Sequence, residues 1–180
     1  MKTSKKRIFL GIPISSKNKE RIKRWQRENL SGLPLRKVAV KNLHLTLVPP
    51  WYETNINKLI NVFEKSKIFV KPFIVNFRQI EPGPLAKRPR LIWITGKKSE
   101  NLNNLKKSFE KLLNKKPEKR EFLPHLTIAR FREKDFPQLA GKKLRERINW
   151  IEKVDKIAIF ESKLSPKGAD YSVIKTFALR

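Results

Sequence analysis

Histidine is scarce in this chain, which has two in 180 residues. Each opens a copy of the same tetrapeptide: His44-Leu45-Thr46-Leu47 and His125-Leu126-Thr127-Ile128, one in each half of the chain. On a β-strand, side chains alternate between faces, so His and Thr point one way and the two apolar residues the other. The apolar pair can then sit in a core while imidazole and hydroxyl project together into a cleft. Two imidazoles are what in-line displacement at a phosphorus atom needs: one protonates the leaving oxygen, the other takes a proton from the attacking water. With an ordinary pKa of about 6.5, imidazole can fill either role near neutrality. The threonine hydroxyl two residues on can donate a hydrogen bond to a non-bridging phosphate oxygen. One histidine on an apolar strand is ordinarily a partly buried, hydrogen-bonded side chain and no more. Two that exhaust the supply, each with Thr at the same spacing, point to a working pair. Residue type alone leaves open which is acid and which is base.

Both motifs fall where strands are plausible, in the apolar-rich stretches 38–48 and 122–131. Around them, 8–14 reads as a strand and 17–29 as a helix capped by Ser15 or Ser16, with Ile22 and Trp25 facing inward. Residues 38–40 and 43–48 read as one or two strands. By parity Asn42 shares a face with His44 and Thr46, where it would orient the ring or a ligand or serve as a turn residue. Asn55 or Asn57 caps a helix to about 67. Residues 69–80 read as a strand with Phe73, Val75 and Phe77 on one face, 81–84 as a turn, 87–90 as a basic loop, and 91–95 as a strand. Ser99 caps a helix to about 113, with Leu102, Leu105, Phe109 and Leu112 at helical spacing. A charged linker, 115–120, leads to the second motif. A turn and one short helix are expected within 134–150, then strands at 154–162 and 171–179 joined by a turn at 165–169. The pattern predicts an α+β fold: two pseudo-symmetric lobes of mostly antiparallel sheet with outer helices, one His-x-Thr motif per lobe facing a central cleft, in a single bilobal domain over 1–180.

The two motifs resemble those of the 2H phosphoesterase superfamily. Within it the chain is most similar to the RNA 2′,3′-cyclic phosphodiesterases, or 2′-5′ RNA ligases. The likeness spans most of the chain: Arg7-Ile8-Phe9-Leu10-Gly11-Ile12 at the start, Asn42-Leu43-His44-Leu45-Thr46-Leu47, Pro124-His125-Leu126-Thr127-Ile128-Ala129-Arg130, and the closing Ser162-Lys163-Leu164-Ser165-Pro166-Lys167-Gly168-Ala169-Asp170-Tyr171. The resemblance implies hydrolysis of an RNA 2′,3′-cyclic phosphate to a 2′-phosphomonoester. It makes His44 the general acid and His125 the general base, with Thr46, Thr127 and Arg130 binding phosphate and the reverse 2′-5′ joining as a side reaction. Strict alternation puts Arg130 on the face opposite His125; a bulge or a strand end would bring it back. Relatives often carry a Lys-Phe-Leu-Gly run after the first motif. Here the run is Val48-Pro49-Pro50-Trp51, so Trp51 and Tyr52 either stack on a base or cap the core.

The formal charge is +27, from 43 Lys and Arg against 16 Asp and Glu. A polyanion is the expected partner, nucleic acid ahead of a membrane surface. With no cysteine, disulfides and thiolate metal sites are excluded, and two histidines without a carboxylate in either motif make a poor zinc set. Neither metal nor other cofactor is expected. The basic leader and short apolar run at the start, interrupted by Pro13, read as a first strand rather than an export signal. The expectation is a cytoplasmic, monomeric RNA-end hydrolase. Its rivals are a non-catalytic RNA-end-binding module and a cyclic phosphodiesterase of small nucleotides.

Overall fold

The computed structural model describes residues 5–66, 70–117, 122–139, 144–166 and 168–180. In chain order they form β1 (Lys6–Pro13), α1 (Ser16–Asn29), β2 (Arg36–Lys37), β3 (His44–Glu53), α2 (Ile56–Lys65), β4 (Phe73–Gly83), β5 (Leu91–Gly96), α3 (Glu100–Leu112), β6 (His125–Arg130), α4 (Phe136–Leu139), β7 (Glu146–Val154), β8 (Lys156–Ser165) and β9 (Gly168–Ala178). The fold is α+β, with two sheets ordered β3-β1-β8-β9 and β2-β6-β5-β4-β7. Every pairing is antiparallel.

The sheets are related by a repeated unit. In the first, β1 runs into α1 and the chain returns as motif strand β3 beside β1. In the second, β5 runs into α3 and returns as motif strand β6 beside β5. The helices are exchanged. Helix α1 leaves the first sheet and docks on the second: Gln26 Nε2 donates to the Ile128 carbonyl at 2.8 Å, and Trp25 Nε1 donates to Glu146 at 2.6 Å. Helix α3 leaves the second sheet and packs on β3 of the first. Exchange of this kind ties the sheets together: one main core draws on both lobes, and Phe9, Ala158 and Phe160 form a smaller cluster apart from it.

The helix ends follow from sequence. Ser15, Asn55 and Ser99 each accept a backbone N–H three residues on, at 3.5, 2.9 and 3.3 Å. The N-terminus of α1 is also pinned by the buried Glu152 carboxylate, which accepts from the Ser15 N–H at 2.9 Å and from Asn18 Nδ2 at 2.7 Å. A carboxylate there satisfies orphan donors and meets the positive end of the helix dipole.

The strands at 8–14 and 91–95 and the inward face Phe73, Val75 and Phe77 appear as expected. Four expectations differ. The stretch 38–40 is not strand: 40–42 form a single 3-10 turn, in which the Asn42 N–H bonds back to the Ala39 carbonyl at 2.8 Å. The first motif strand does not end at 48 but runs through Pro49 and Pro50 to Glu53, paired with β1. Residues 81–83 stay in β4 instead of turning, since Glu81, Pro82 and Gly83 pair with Trp93, Ile92 and Leu91. Strand β7 begins at Glu146, inside the stretch expected to hold only a turn and short helix. Its first residues alternate between half-buried and exposed without an apolar run, as an edge strand can. The expected strand start at Phe69, the end of the 115–120 linker and Lys167 lie outside the described residues.

Candidate active site

Each motif opens its strand, and in both the intended alternation holds. His44, Thr46, His125 and Thr127 are half-buried on one face, while Leu45, Leu47, Leu126 and Ile128 are fully buried behind them. One residue after each threonine the ladder slips. Leu10 and Gly11 pair with Val48 and Thr46, leaving Leu47 unmatched; Ile92 and Trp93 pair with Ala129 and Thr127, leaving Ile128 unmatched. The bulge resets the parity, so Arg130 returns to the face of His125 and Thr127. The carbonyl of Ile128 is satisfied by the Val38 N–H at 2.8 Å as well as by Gln26.

Strands β3 and β6 meet across the gap between the sheets. His44, Thr46, His125, Thr127 and Arg130 line one cleft of about 300 Å³. All five residues expected from sequence are therefore brought together. The two rings are held alike. His44 Nδ1 donates to the Asn42 carbonyl at 2.7 Å, and His125 Nδ1 donates to the Leu123 carbonyl at 2.9 Å. In both cases the acceptor is the residue two before the histidine, which fixes the tautomer and leaves Nε2 to work. His44 Nε2 lies 3.1 Å from the Thr46 hydroxyl, which donates to it while the ring is neutral.

Their surroundings differ. His44 sits among Phe9, Tyr171 and Phe160, with ring centroids 4.5, 5.1 and 5.5 Å away. His125 has Trp93 at 5.2 Å. Burial pushes the His44 pKa down from 6.5 to about 4. The bond to Asn42 opposes that shift, while the nearby His125 and Arg130 add to it.

Asn42 orients the ring through its backbone rather than its side chain. The side chain donates to the Ala169 carbonyl at 2.8 Å and accepts the Tyr171 N–H at 3.1 Å, tying β9 to the first motif. Arg7, Phe9, Pro50 and Tyr171 also line the cleft and carried no expected role there. Parity on β1 could have found two of them, since Arg7 and Phe9 alternate with the core residues Ile8 and Leu10. Trp51 packs against the core with Lys115 at 4.9 Å from its ring, and Tyr52 is 59% exposed; neither lines the cleft. Of the basic loop, Arg90 lines a groove that Arg130 shares. Among the described residues, no three His, Cys, Asp or Glu side chains gather as a metal-ligand set. No described helix is long and apolar enough to cross a membrane.

A family model described as the 2′-5′ RNA ligase superfamily matches residues 14–165. A protein of Methanocaldococcus jannaschii named RNA 2′,3′-cyclic phosphodiesterase is 31% identical over 94% of this chain and 98% of its own. One of the same name from Archaeoglobus fulgidus is 30% identical over 95% and 99%. Among solved structures, E. coli LigT complexed with 3′-AMP superposes with a TM-score of 0.77 at 21% identity, covering 98% of this chain and 99% of that one. At that identity the superposition speaks to the fold.

Proposed function

Because the chain belongs to the 2′-5′ RNA ligase superfamily, we propose that it is an RNA 2′,3′-cyclic phosphodiesterase. The reading rests on one observation above the others: both His-x-Thr pairs open onto one cleft, with each Nδ1 fixed by a carbonyl, so that Nε2 is the nitrogen available for chemistry, in His44 beside the Thr46 hydroxyl. The names of the relatives agree with it.

In the proposed reaction the cyclic phosphate lies between the two rings. Water attacks phosphorus in line with the bond to the 3′-oxygen. His125 takes the water proton as the new P–O bond forms, and His44 delivers a proton to the 3′-oxygen as its bond to phosphorus breaks. The products are a 2′-phosphomonoester and a free 3′-hydroxyl. Thr46, Thr127 and Arg130 hold the non-bridging oxygens, where charge-assisted hydrogen bonds are strongest.

At pH 7 His44 is neutral, given its pKa of about 4. An arriving phosphate anion favours the imidazolium by direct attraction and offsets the repulsion from Arg130 and His125. An imidazolium kept at low pKa is also a strong proton donor to a leaving alkoxide. Run forward with a 5′-hydroxyl in place of water, the same attack on the cyclic phosphate forms a 2′-5′ linkage and frees the 3′-hydroxyl; in water hydrolysis dominates. The single bilobal unit over 1–180 is part of this reading, since the site needs one strand from each lobe.

The test is a short RNA ending in a 2′,3′-cyclic phosphate, incubated with the protein without added metal, with the product's terminal phosphate located. The expected product is the 2′-phosphate. A 3′-phosphate would reverse the substrate's placement between the histidines, and an unchanged but tightly bound end would make the protein an RNA-end-binding module.

A further inference from the structure

Past Arg130 the cleft does not end. It continues into a hollow of about 170 Å³ between Arg36, Asn42, Arg130 and Gly168, and from there into a groove of about 770 Å³ walled by Arg36, Arg90, Arg130 and Arg132. Arg130 lines all three spaces and Arg36 the last two. We propose that this arginine groove binds the sugar-phosphate backbone of the RNA on the 5′ side of the reacting terminus. The proposal deepens the cyclic phosphodiesterase reading and rests on it.

The chain places these cations together at a cost. In the short β2–β6 ladder Arg36 stands directly opposite Arg130, a like-charge pair that is unfavourable by itself. The Phe131 N–H bonds to the Arg90 carbonyl at 3.1 Å, which sets Arg90 beside the same strand end. Only Arg132 is neutralised, by Asp135 at 2.8 Å. Among the described residues no carboxylate pairs with Arg36, Arg90 or Arg130. A cluster held against its own repulsion is stabilised by an anion, and a row of them by a polyanion.

Arg36 is also steered. Its guanidinium crosses from the second sheet to the first and lies on Gly168, where a β-carbon would fall 2.9 Å from Nη1. Gly168 has a φ of +121°, a conformation that favours glycine. The missing side chain there leaves the guanidinium at the hinge between cleft and groove.

The opposite exit, lined by Lys5, Lys6, Arg7 and Lys163 beside Glu161, is the competing route. There Lys6 is paired with Glu161 at 3.2 Å, and the Arg7 guanidinium donates to Ser162 at 2.5 Å. What favours the path past Arg130 is a wall made of guanidinium groups alone among its cations, which match phosphate bidentately where lysines act as point charges. The groove's one aromatic wall residue, Phe131, is buried. Contact therefore runs through phosphates and guanidinium faces rather than base stacking, and base identity upstream of the terminal nucleotide should matter little.

The experiment compares kcat/KM for a 2′,3′-cyclic mononucleotide and for cyclic-ended RNAs of two to five nucleotides, at low and moderate salt. It uses the native chain, Arg36→Gln, Arg90→Gln, the two combined, and Lys6→Gln at the other exit. The native chain should gain with length, by about fivefold for each phosphate held. The combined variant should lose about 25-fold on the longest RNA and far less on the mononucleotide, with a shallower salt dependence. A length gain that survives the combined variant, or that Lys6→Gln removes instead, overturns the proposal. So does equal turnover at every length, which leaves the reaction intact without the groove. Absence of turnover on every substrate removes the reaction itself, and the groove's role with it.

Discussion

The two motif strands share one local plan and differ in what encloses them. In each, a histidine is fixed by the carbonyl two residues back, a buried apolar residue follows, a threonine shares the histidine's face, and a bulge comes one residue later. The first strand sets its ring among Phe9, Phe160 and Tyr171; the second sets its ring by Trp93, its one aromatic neighbour among the described residues. After the bulge the first continues Val48-Pro49 and the second Ala129-Arg130. The tetrapeptide and bulge determine position. The neighbours determine electrostatics: one side is enclosed by aromatic rings, with a depressed pKa, and the other carries the cation.

If the pair divides acid and base work, replacing either member should have the largest effect. His44→Ala and His125→Ala should each lower kcat by about a thousandfold, as loss of a positioned proton donor or acceptor does, with circular dichroism unchanged. Arg130→Met removes the cation that the first motif lacks. It should reduce kcat/KM by about 30-fold and raise the His44 pKa, because a repelling charge is gone. Thr46→Val and Thr127→Val should each cost about tenfold. Only Thr46→Val should also alter the His44 titration, since Thr46 is the hydroxyl bonded to that ring.

Opening the enclosed side makes the first lobe more like the second. Tyr171→Ala should raise the His44 pKa from about 4 toward 6.5, read by NMR of the ring protons. The same burial sets a stability trend. The folded-state pKa of His44 lies below its unfolded value, so its contribution is fully present above pH 6.5 and is lost as pH falls toward about 4. The loss amounts to about 3 kcal/mol. Urea midpoints across that window should fall more steeply for the native chain than for His44→Gln; parallel curves would refute a buried neutral His44.

Sequence reading reached the site largely because a period of two is a local property. His44, Thr46, His125 and Thr127 needed only alternation and apolar neighbours. Arg130 needed the bulge, which depends on pairing with β5 and shows in the sequence only as two consecutive buried residues, Ile128 and Ala129. Phe9 and Tyr171 escaped a role because their contact with His44 joins residues far apart in the chain. The exchanged helices were hidden for the same reason: α1 shows an apolar stripe but not which sheet receives it. Strand β7 was missed because an edge strand that begins Glu146-Arg147-Ile148-Asn149 has no continuous apolar signal.

A single-turnover comparison of the native chain, His44→Ala, His125→Ala and the double variant on one cyclic-ended RNA tests the two-histidine account most directly. Groups that act on the same transition state are not additive. The account predicts that each single variant falls about a thousandfold and that the double variant is slower than either by only about a few-fold. A near-normal rate in either single variant, or a further thousandfold loss in the double, would contradict it.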